Sequence, residues 1–267
     1  MDRYAASQRK VCELADIARS SYRYRARTQR NDELRDALVE LAQEQPRYGY
    51  RRLGELLKRK GERVNHKRLF RVYRAAGLSV KRKRRKRLVR VGQPSFVPTR
   101  PNQQWSIDFV HDRMASGRSL RVLTVVDAFT RECLALEVDT SLPSRRVTRA
   151  LDKVIAQRGC PGRIRMDNGT ELTSRHFLAW GIDQRIELAH IQPGKPVQNA
   201  YAESFNGKFR DECLNVSWFQ NLWDARRKIA AWLLQYNQER PHSSLDYRTP
   251  NEFVQQWRAA QIPIMQT

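Results

Sequence analysis

Asp108, Asp167 and Glu203 are the residues of this chain whose types and spacing could do chemistry. Asp108 stands in Trp105-Ser-Ile-Asp-Phe109, and 58 residues intervene before Asp167 in Arg165-Met-Asp-Asn-Gly169. Another 35 intervene before Glu203 in Asn199-Ala-Tyr-Ala-Glu-Ser-Phe-Asn-Gly-Lys-Phe-Arg210. Three carboxylates at strand ends and a helix start are what a two-metal phosphoryl-transfer site requires. Mg²⁺ (or Mn²⁺) prefers oxygen ligands and keeps waters, so a few carboxylates plus phosphate oxygens suffice. Two such ions about 3.5–4 Å apart activate an attacking hydroxyl and stabilise the leaving oxygen. No His or Cys is needed, and His66, His111, His176, His190 and His242 show no metal-ligand spacing. His190 reads as a core or edge residue, and His242 as a surface or substrate contact.

Each acid also has an ordinary structural explanation. Asp108 suits a solvated strand position, Asp167 opens the turn sequence Asp-Asn-Gly, and Glu203 suits a helix N-terminus. Their context favours a site. Asp108 lies between Ile107 and Phe109 in a strand that looks buried, where a carboxylate is costly unless paired or metal-bound. Arg210 follows Glu203 by seven residues, nearly two helical turns, so both lie on one face. Gly207 between them removes a side chain where a backbone could approach. Lys208 and Arg210 read as phosphate contacts. A loop carrying Lys195 precedes the helix, and Gln198 and Asn199 can hydrogen-bond bases or phosphates.

The elements that must position these residues form two sections. Residues 1–80 read as helical throughout. Helical spacing in Val11–Ala18 leads to a basic segment from Arg19 to Tyr24, where a serine can cap a second helix. Those two helices and their turn match a helix-turn-helix pattern. Further helices run from Asp32 to Gln45 and from Tyr50 to Leu57. Asn65 is the expected N-cap of a helix over His66–Ala75, with Leu69, Val72 and Tyr73 on one face. Lys67, Arg68, Arg71 and Arg74 on its other sides make it the best candidate to dock in a groove or along phosphates. Eight of the ten residues from Lys81 to Arg90 are basic. Such a block repels itself and reads as part of a linker over 81–101. From Gln104 the pattern changes: Gln104–His111 alternates in the manner of a strand, Leu120–Val126 and Cys133–Val138 follow as strands rich in branched residues, and Arg163–Met166 and Ile186–His190 complete a set of five. Helices Ser144–Gln157, Ser174–Trp180 and Ala200–Leu214 interleave, so residues 102–214 read as a mixed α/β sheet. Residues 215–267 read as a C-terminal helical extension.

Charge separates the two sections. The chain has 51 basic and 28 acidic residues, a net charge of +23. Residues 1–100 hold 29 basic and 10 acidic residues (+19), and residues 101–267 hold 22 and 18 (+4). The first section is thus the electrostatic footprint for a polyanion, DNA or RNA. The four cysteines form no CxxC pair, which suggests neither a zinc finger nor a disulfide framework. Reduced thiols in a cytoplasmic protein are the expectation. With a polar start and no long apolar run, neither a secretory signal nor a membrane span is expected.

At these residues the chain resembles the catalytic open reading frame of the IS-three-type bacterial insertion-sequence transposases, relatives of retroviral integrases in the D-D-E group. The segments that carry the resemblance are Trp105–Phe109, Val126-Asp-Ala-Phe-Thr-Arg131, Asp167–Gly169, Gln198–Asn215 and Tyr236-Asn-Gln-Glu-Arg-Pro-His-Ser-Ser-Leu245, with Arg47-Tyr-Gly-Tyr-Arg-Arg-Leu53 in front. The resemblance implies a ribonuclease-H-like catalytic core behind an all-α, helix-turn-helix-type DNA-binding region. It implies Asp108, Asp167 and Glu203 as metal ligands for two ions, Arg210 at the basic position after the glutamate, and metal-dependent strand transfer at the ends of an insertion sequence. The expected partners are the terminal inverted repeats and target DNA, a homo-oligomer on DNA, and an upstream reading-frame product, separate or fused. The expected location is the bacterial cytoplasm, at the nucleoid. Two rival functions share the fold: a non-cutting regulator of the same element and a ribonuclease-H-type nuclease.

Overall fold

A computed structural model of the chain describes residues 7–23, 29–80, 96–192 and 196–261. The chain forms two compact units, residues 1–81 and 82–267. The basic run 81–90 and most of the expected linker lie outside the described residues.

The first unit is helical. Its helices are α1 (Gln8–Leu14), α2 (Arg19–Tyr22), α3 (Gln29–Glu44), α4 (Tyr50–Arg59) and α5 (His66–Ala75). Leu34, Leu38 and Leu41 of α3, Leu53 and Leu57 of α4, and Leu69 and Tyr73 of α5 form one core, with Tyr48. Gly54 allows α4 and α5 to approach closely, since a Cβ there would lie 2.5 Å from Leu69 Cδ2. Asn65 caps α5 as expected, its side chain accepting from Lys67 N at 2.9 Å. The front of this unit departs from the sequence expectation. The helix α2 spans four residues, starts behind Ala18 with no side-chain cap, and buries nothing. One turn is too short to lie in a groove, so the packed three-helix arrangement is α3–α5, not α1–α2.

The second unit is a five-stranded mixed sheet: β1 (Trp105–Arg113), β2 (Ser119–Asp127), β3 (Cys133–Asp139), β4 (Arg163–Met166) and β5 (Glu187–His190), in the order β3-β2-β1-β4-β5. β1, β2 and β3 are antiparallel neighbours, and β4 runs parallel to β1 and β5. Strand side chains alternate between faces, so each strand feeds two cores. Trp105, Ile107, Leu123 and Val125 face α6 (Ser144–Arg158) and α7 (Arg175–Asp183), meeting Val147, Leu151, Phe177 and Trp180. Val110, Val122, Val126 and Val138 face α8 (Ala200–Glu212) and α9 (Leu222–Gln238), meeting Phe205, Phe209, Ile229, Trp232 and Tyr236. The last helix, α10 (Pro250–Gln261), packs on α9 and on the β2–β3 turn, where Phe253 meets Phe129 edge-on at 5.4 Å. The helix α9 is therefore a wall of the second core, although its sequence reads as part of an extension. No described helix is long and apolar enough to cross a membrane.

β5 is held against α7 by a missing side chain. A Cβ at Gly181 would lie 2.6 Å from Leu188 Cδ1 and 2.8 Å from Leu188 Cγ. Gly181→Ala is therefore expected to destabilise the protein by about 1–2 kcal/mol, because overpacking outweighs alanine's helix preference. Urea unfolding should show a lower midpoint at an unchanged slope. An unchanged or higher midpoint would mean that β5 yields without cost.

Candidate active site

The parallel pairing of β1 and β4 sets two of the three acids side by side. The last paired residues are Ser106 and Arg165. Two residues beyond that last pair stand Asp108, still within β1, and Asp167, the first residue after β4. Alternation sends Asp108 to the α8 face, while Ile107 goes to the opposite core. Both carboxylate oxygens of Asp108 are engaged. Oδ1 accepts from Phe109 N at 2.8 Å, and Oδ2 accepts from Asn206 Nδ2 at 2.8 Å.

Asp167 opens the turn after β4. Its Oδ1 accepts from Gly169 N at 3.1 Å. A Cβ at Gly169 would stand 3.2 Å from that oxygen, so glycine leaves the carboxylate its place. The turn is pinned to its surroundings. His190 Nδ1 lies 3.2 Å from the Asp167 carbonyl, and Asn168 Nδ2 donates to Ile191 O at 3.0 Å. Further along, Glu171 accepts from Arg121 at 2.6 Å, and that guanidinium lies 4.6 Å from the centre of the Phe109 ring.

The helix α8 crosses β1 and β2 with Ala202, Phe205, Asn206 and Phe209 on its inner side. Two asparagines tie it to β1: Asn206 through the Asp108 carboxylate, and Asn199 through Ile107 O at 3.1 Å. The outer side carries Glu203 in the first turn and Arg210 in the last, both exposed. Each sits at the helix end that its charge favours. Gly207 lies between them, with nothing within 4 Å of where its Cβ would be.

The acids act on one another. Asp108 is raised from the usual carboxylate value of 3.8 to about 6. Burial is the chief cause, and the charges of Asp167 and then Glu203 add to it. The Phe109 N–H and the Asn206 amide oppose the rise. Glu203 is thus close enough to be felt at Asp108, yet no group of three His, Cys, Asp or Glu among the described residues is gathered tightly enough to hold an ion. The donor set still fits a hard divalent cation. Mg²⁺ binds through one or two carboxylates, waters and substrate phosphates, and needs no closed protein cage.

The other residues singled out in the sequence are scattered. On α5, Lys67, Arg71 and Arg74 are exposed, while half-buried Arg68 donates to Asn31 of α3 at 3.0 Å. Lys195 lies outside the described residues. Gln198 accepts from Gln192 N at 2.8 Å, bracing the loop ahead of α8. Asn199 is 3% exposed, so it is a strut to β1 and not a surface contact for DNA. Lys208 reaches Ser204 at 3.2 Å along the helix. His242 is 2% exposed, which corrects its reading as a surface or substrate residue. It packs edge-on against Tyr236 beneath α8. Asn206 carried no signal in the sequence beyond its place three residues after Glu203, on the inner side of the same helix.

Comparison with known proteins gives a consistent picture. Residues 98–196 and 184–250 match two integrase core domain families, and residues 29–87 match an HTH-like domain. The chain is 48% identical over 255 residues to an insertion element IS407 protein of Burkholderia multivorans, described as an uncharacterized 31.7 kDa protein, covering 95% of this chain and 92% of that one. It is 26% identical to the putative transposase InsK for insertion sequence element IS150 of Escherichia coli, over 91% of each chain. Among solved structures, a chain of the simian T-cell lymphotropic virus intasome, in complex with the PP2A regulatory subunit B56 gamma, superposes with a TM-score of 0.50 at 17% identity. That superposition covers 81% of this chain and 73% of the other, and it supports a ribonuclease-H-like fold for the sheet unit.

The raised Asp108 value has a consequence for stability. The folded chain holds a proton that the unfolded chain releases, so stability is full below about pH 4 and falls as pH rises through 6. Without metal at about pH 7.5, Asp108→Asn should be more stable than the parent, by up to about 3 kcal/mol. The difference should shrink toward zero near pH 4. Denaturant unfolding at both pH values measures it, and a variant that is less stable at the higher pH would contradict the assignment.

Proposed function

The chain belongs to the integrase-core family of bacterial insertion elements, and on that premise we propose that it is a DNA transposase acting at the ends of its element. The observation that carries the proposal is the placement of Asp108 beside Asp167 under a helix bearing Glu203, with both neighbours' charges felt at Asp108. These three acids are the candidate ligands for two Mg²⁺ or Mn²⁺ ions. Such ions polarise the attacking oxygen and stabilise the leaving one.

The chain's own residues supply the rest. Asn206 and the Phe109 N–H orient the Asp108 carboxylate, so its lone pairs point in a set direction. Gly207 leaves open room on the outer face of α8, and Arg210 stands beside that space to meet a phosphate. Lys67, Arg68, Arg71 and Arg74 of α5, with Lys195 and Lys208, are the candidate contacts to DNA phosphates. Water, or a terminal 3′-hydroxyl, attacks the phosphodiester in line, and the 3′-oxygen departs with no covalent enzyme intermediate. The element ends and the target DNA are the substrates. Joining two ends to one target requires a homo-oligomer on DNA, and an upstream reading-frame product completes end recognition. The ordered acidic set argues against a non-cutting regulator. Relatedness to insertion-element proteins argues against a hybrid nuclease.

Strand-transfer assays with a labelled element end should show Asp108→Asn, Asp167→Asn and Glu203→Gln each losing roughly 10³-fold or more in joining, since several kcal/mol of charge stabilisation disappear. Each should bind DNA within about threefold of the parent, because no phosphate contact is removed. Parental joining by all three would sink the mechanism. Separately, replacing Lys67, Arg71 and Arg74 together by alanine should flatten the plot of log K against log salt by about 0.9 for each phosphate that is no longer neutralised. A parental slope would remove α5 from the DNA interface.

A further inference from the structure

The segment Tyr236–Leu245 is distinctive in sequence, yet none of its residues lies among the candidate ligands. Its contacts lead to both ends of α8. At the C-terminal end, Arg240 Nε and Nη2 donate to the two carboxylate oxygens of Glu212, each at 2.6 Å. The pair is almost fully enclosed, with side chains 1% and 7% exposed. Arg240 Nη1 lies 3.3 Å from His242 Nε2, which must accept because guanidinium nitrogens only donate. Toward the N-terminal end, Tyr236 Oη donates to Arg131 O at 3.2 Å. The Arg131 guanidinium stands over the ring of Tyr201 at 4.1 Å, two residues before Glu203. The Asn237 side-chain amide fixes the end of the same turn, accepting from Cys133 N at 3.0 Å and donating to Cys133 O at 2.8 Å.

Glu203 itself is exposed, so no packing holds it in place. Its position follows from where α8 sits. The inner side of α8 rests on aromatic rings: Phe205 meets Tyr236 at 5.0 Å, and Phe209 meets Trp232 at 5.1 Å. Such surfaces resist separation but tolerate small slides, whereas a two-pronged charged hydrogen bond is directional. We propose that Arg240, assisted by Tyr236 and Asn237, is a positioning residue of the reaction, setting the place of α8 along its axis and hence the approach of Glu203 to Asp108 and Asp167. This rests on the reading of Glu203 as a metal ligand.

The test uses the full chain with Arg240→Lys, which keeps the charge but loses the planar fork. Tyr201→Leu loosens the opposite end at a half-buried position, so it reports even where the Arg240 variant fails to fold. Val154→Ala, in the core on the other face of the sheet, serves as a control for stability alone. Five quantities are read: melting temperature, the melting shift induced by Mn²⁺, DNA affinity, the KM for DNA, and joining kcat against metal concentration. Arg240→Lys and Tyr201→Leu should keep DNA affinity and KM near parental, lower kcat about 10- to 100-fold, and raise the half-saturating metal concentration about tenfold. Their Mn²⁺-induced shift should shrink. The control should lower the melting temperature alone. If the two variants behave like the control, Arg240 is scaffold only and the proposal fails. If Glu203→Gln keeps the parental Mn²⁺ shift and joining, the site itself has been misread.

Discussion

The organising constraint is electrostatic: a half-buried carboxylate, Asp108, faces two other acids across the end of a parallel strand pair. Left alone, such an arrangement repels itself and takes up a proton. The surrounding structure answers with directed donors in place of a buried counter-ion. A backbone N–H holds one oxygen of Asp108 and the Asn206 amide holds the other. A guanidinium there would satisfy the charge and compete with a cation. Two neutral donors steady the group without cancelling its charge.

That arrangement explains the layering of the sheet unit. Alternation along β1 must send Asp108 one way and its apolar neighbours the other, so both faces of the sheet have to be covered. On one side α6 and α7 bury Ile107 and Trp105. On the other, α8 serves two roles. Its inner side seals the core with Phe205 and Phe209, and its outer side presents Glu203, Gly207 and Arg210. A helix with one side in an aromatic core and the other at the candidate site must be held firmly along its axis. The polar ties at Asn199, Asn206, Glu212 and Tyr201 supply that restraint.

Much of this was legible in the residues. Alternation over Gln104–His111 marks β1, while richness in branched residues marks β2, which is buried on both faces, and β3. Asn65 marks the start of α5 because its side chain satisfies a helix-end N–H. The misreadings have equally specific causes. Ser20 and Ser21 look like caps, yet the chain starts α2 at Arg19 with no side-chain bond. Asn199 and His242 look like surface polar residues. Both are buried: Asn199 donates to a β1 carbonyl 92 residues away, and His242 is enclosed with its sequence neighbours Arg240 and Tyr236, which are themselves held by Glu212 and by the Arg131 carbonyl.

By itself the sequence determined the character of each part: a basic helical front, a mixed sheet behind it, and three acids in settings that suit strand ends and a helix start. These are local properties, governed by side-chain periodicity, turn chemistry and charge within a few residues. Only the tertiary structure decided which groups meet. The register of β1 on β4 sets Asp108 level with Asp167, and the packing of α8 on α9 makes Trp232 and Tyr236 part of the wall behind Glu203. The same folding encloses Glu212 with Arg240, 28 residues apart. Such pairings depend on strand register and on how helices pack across a sheet, which no short stretch of sequence contains.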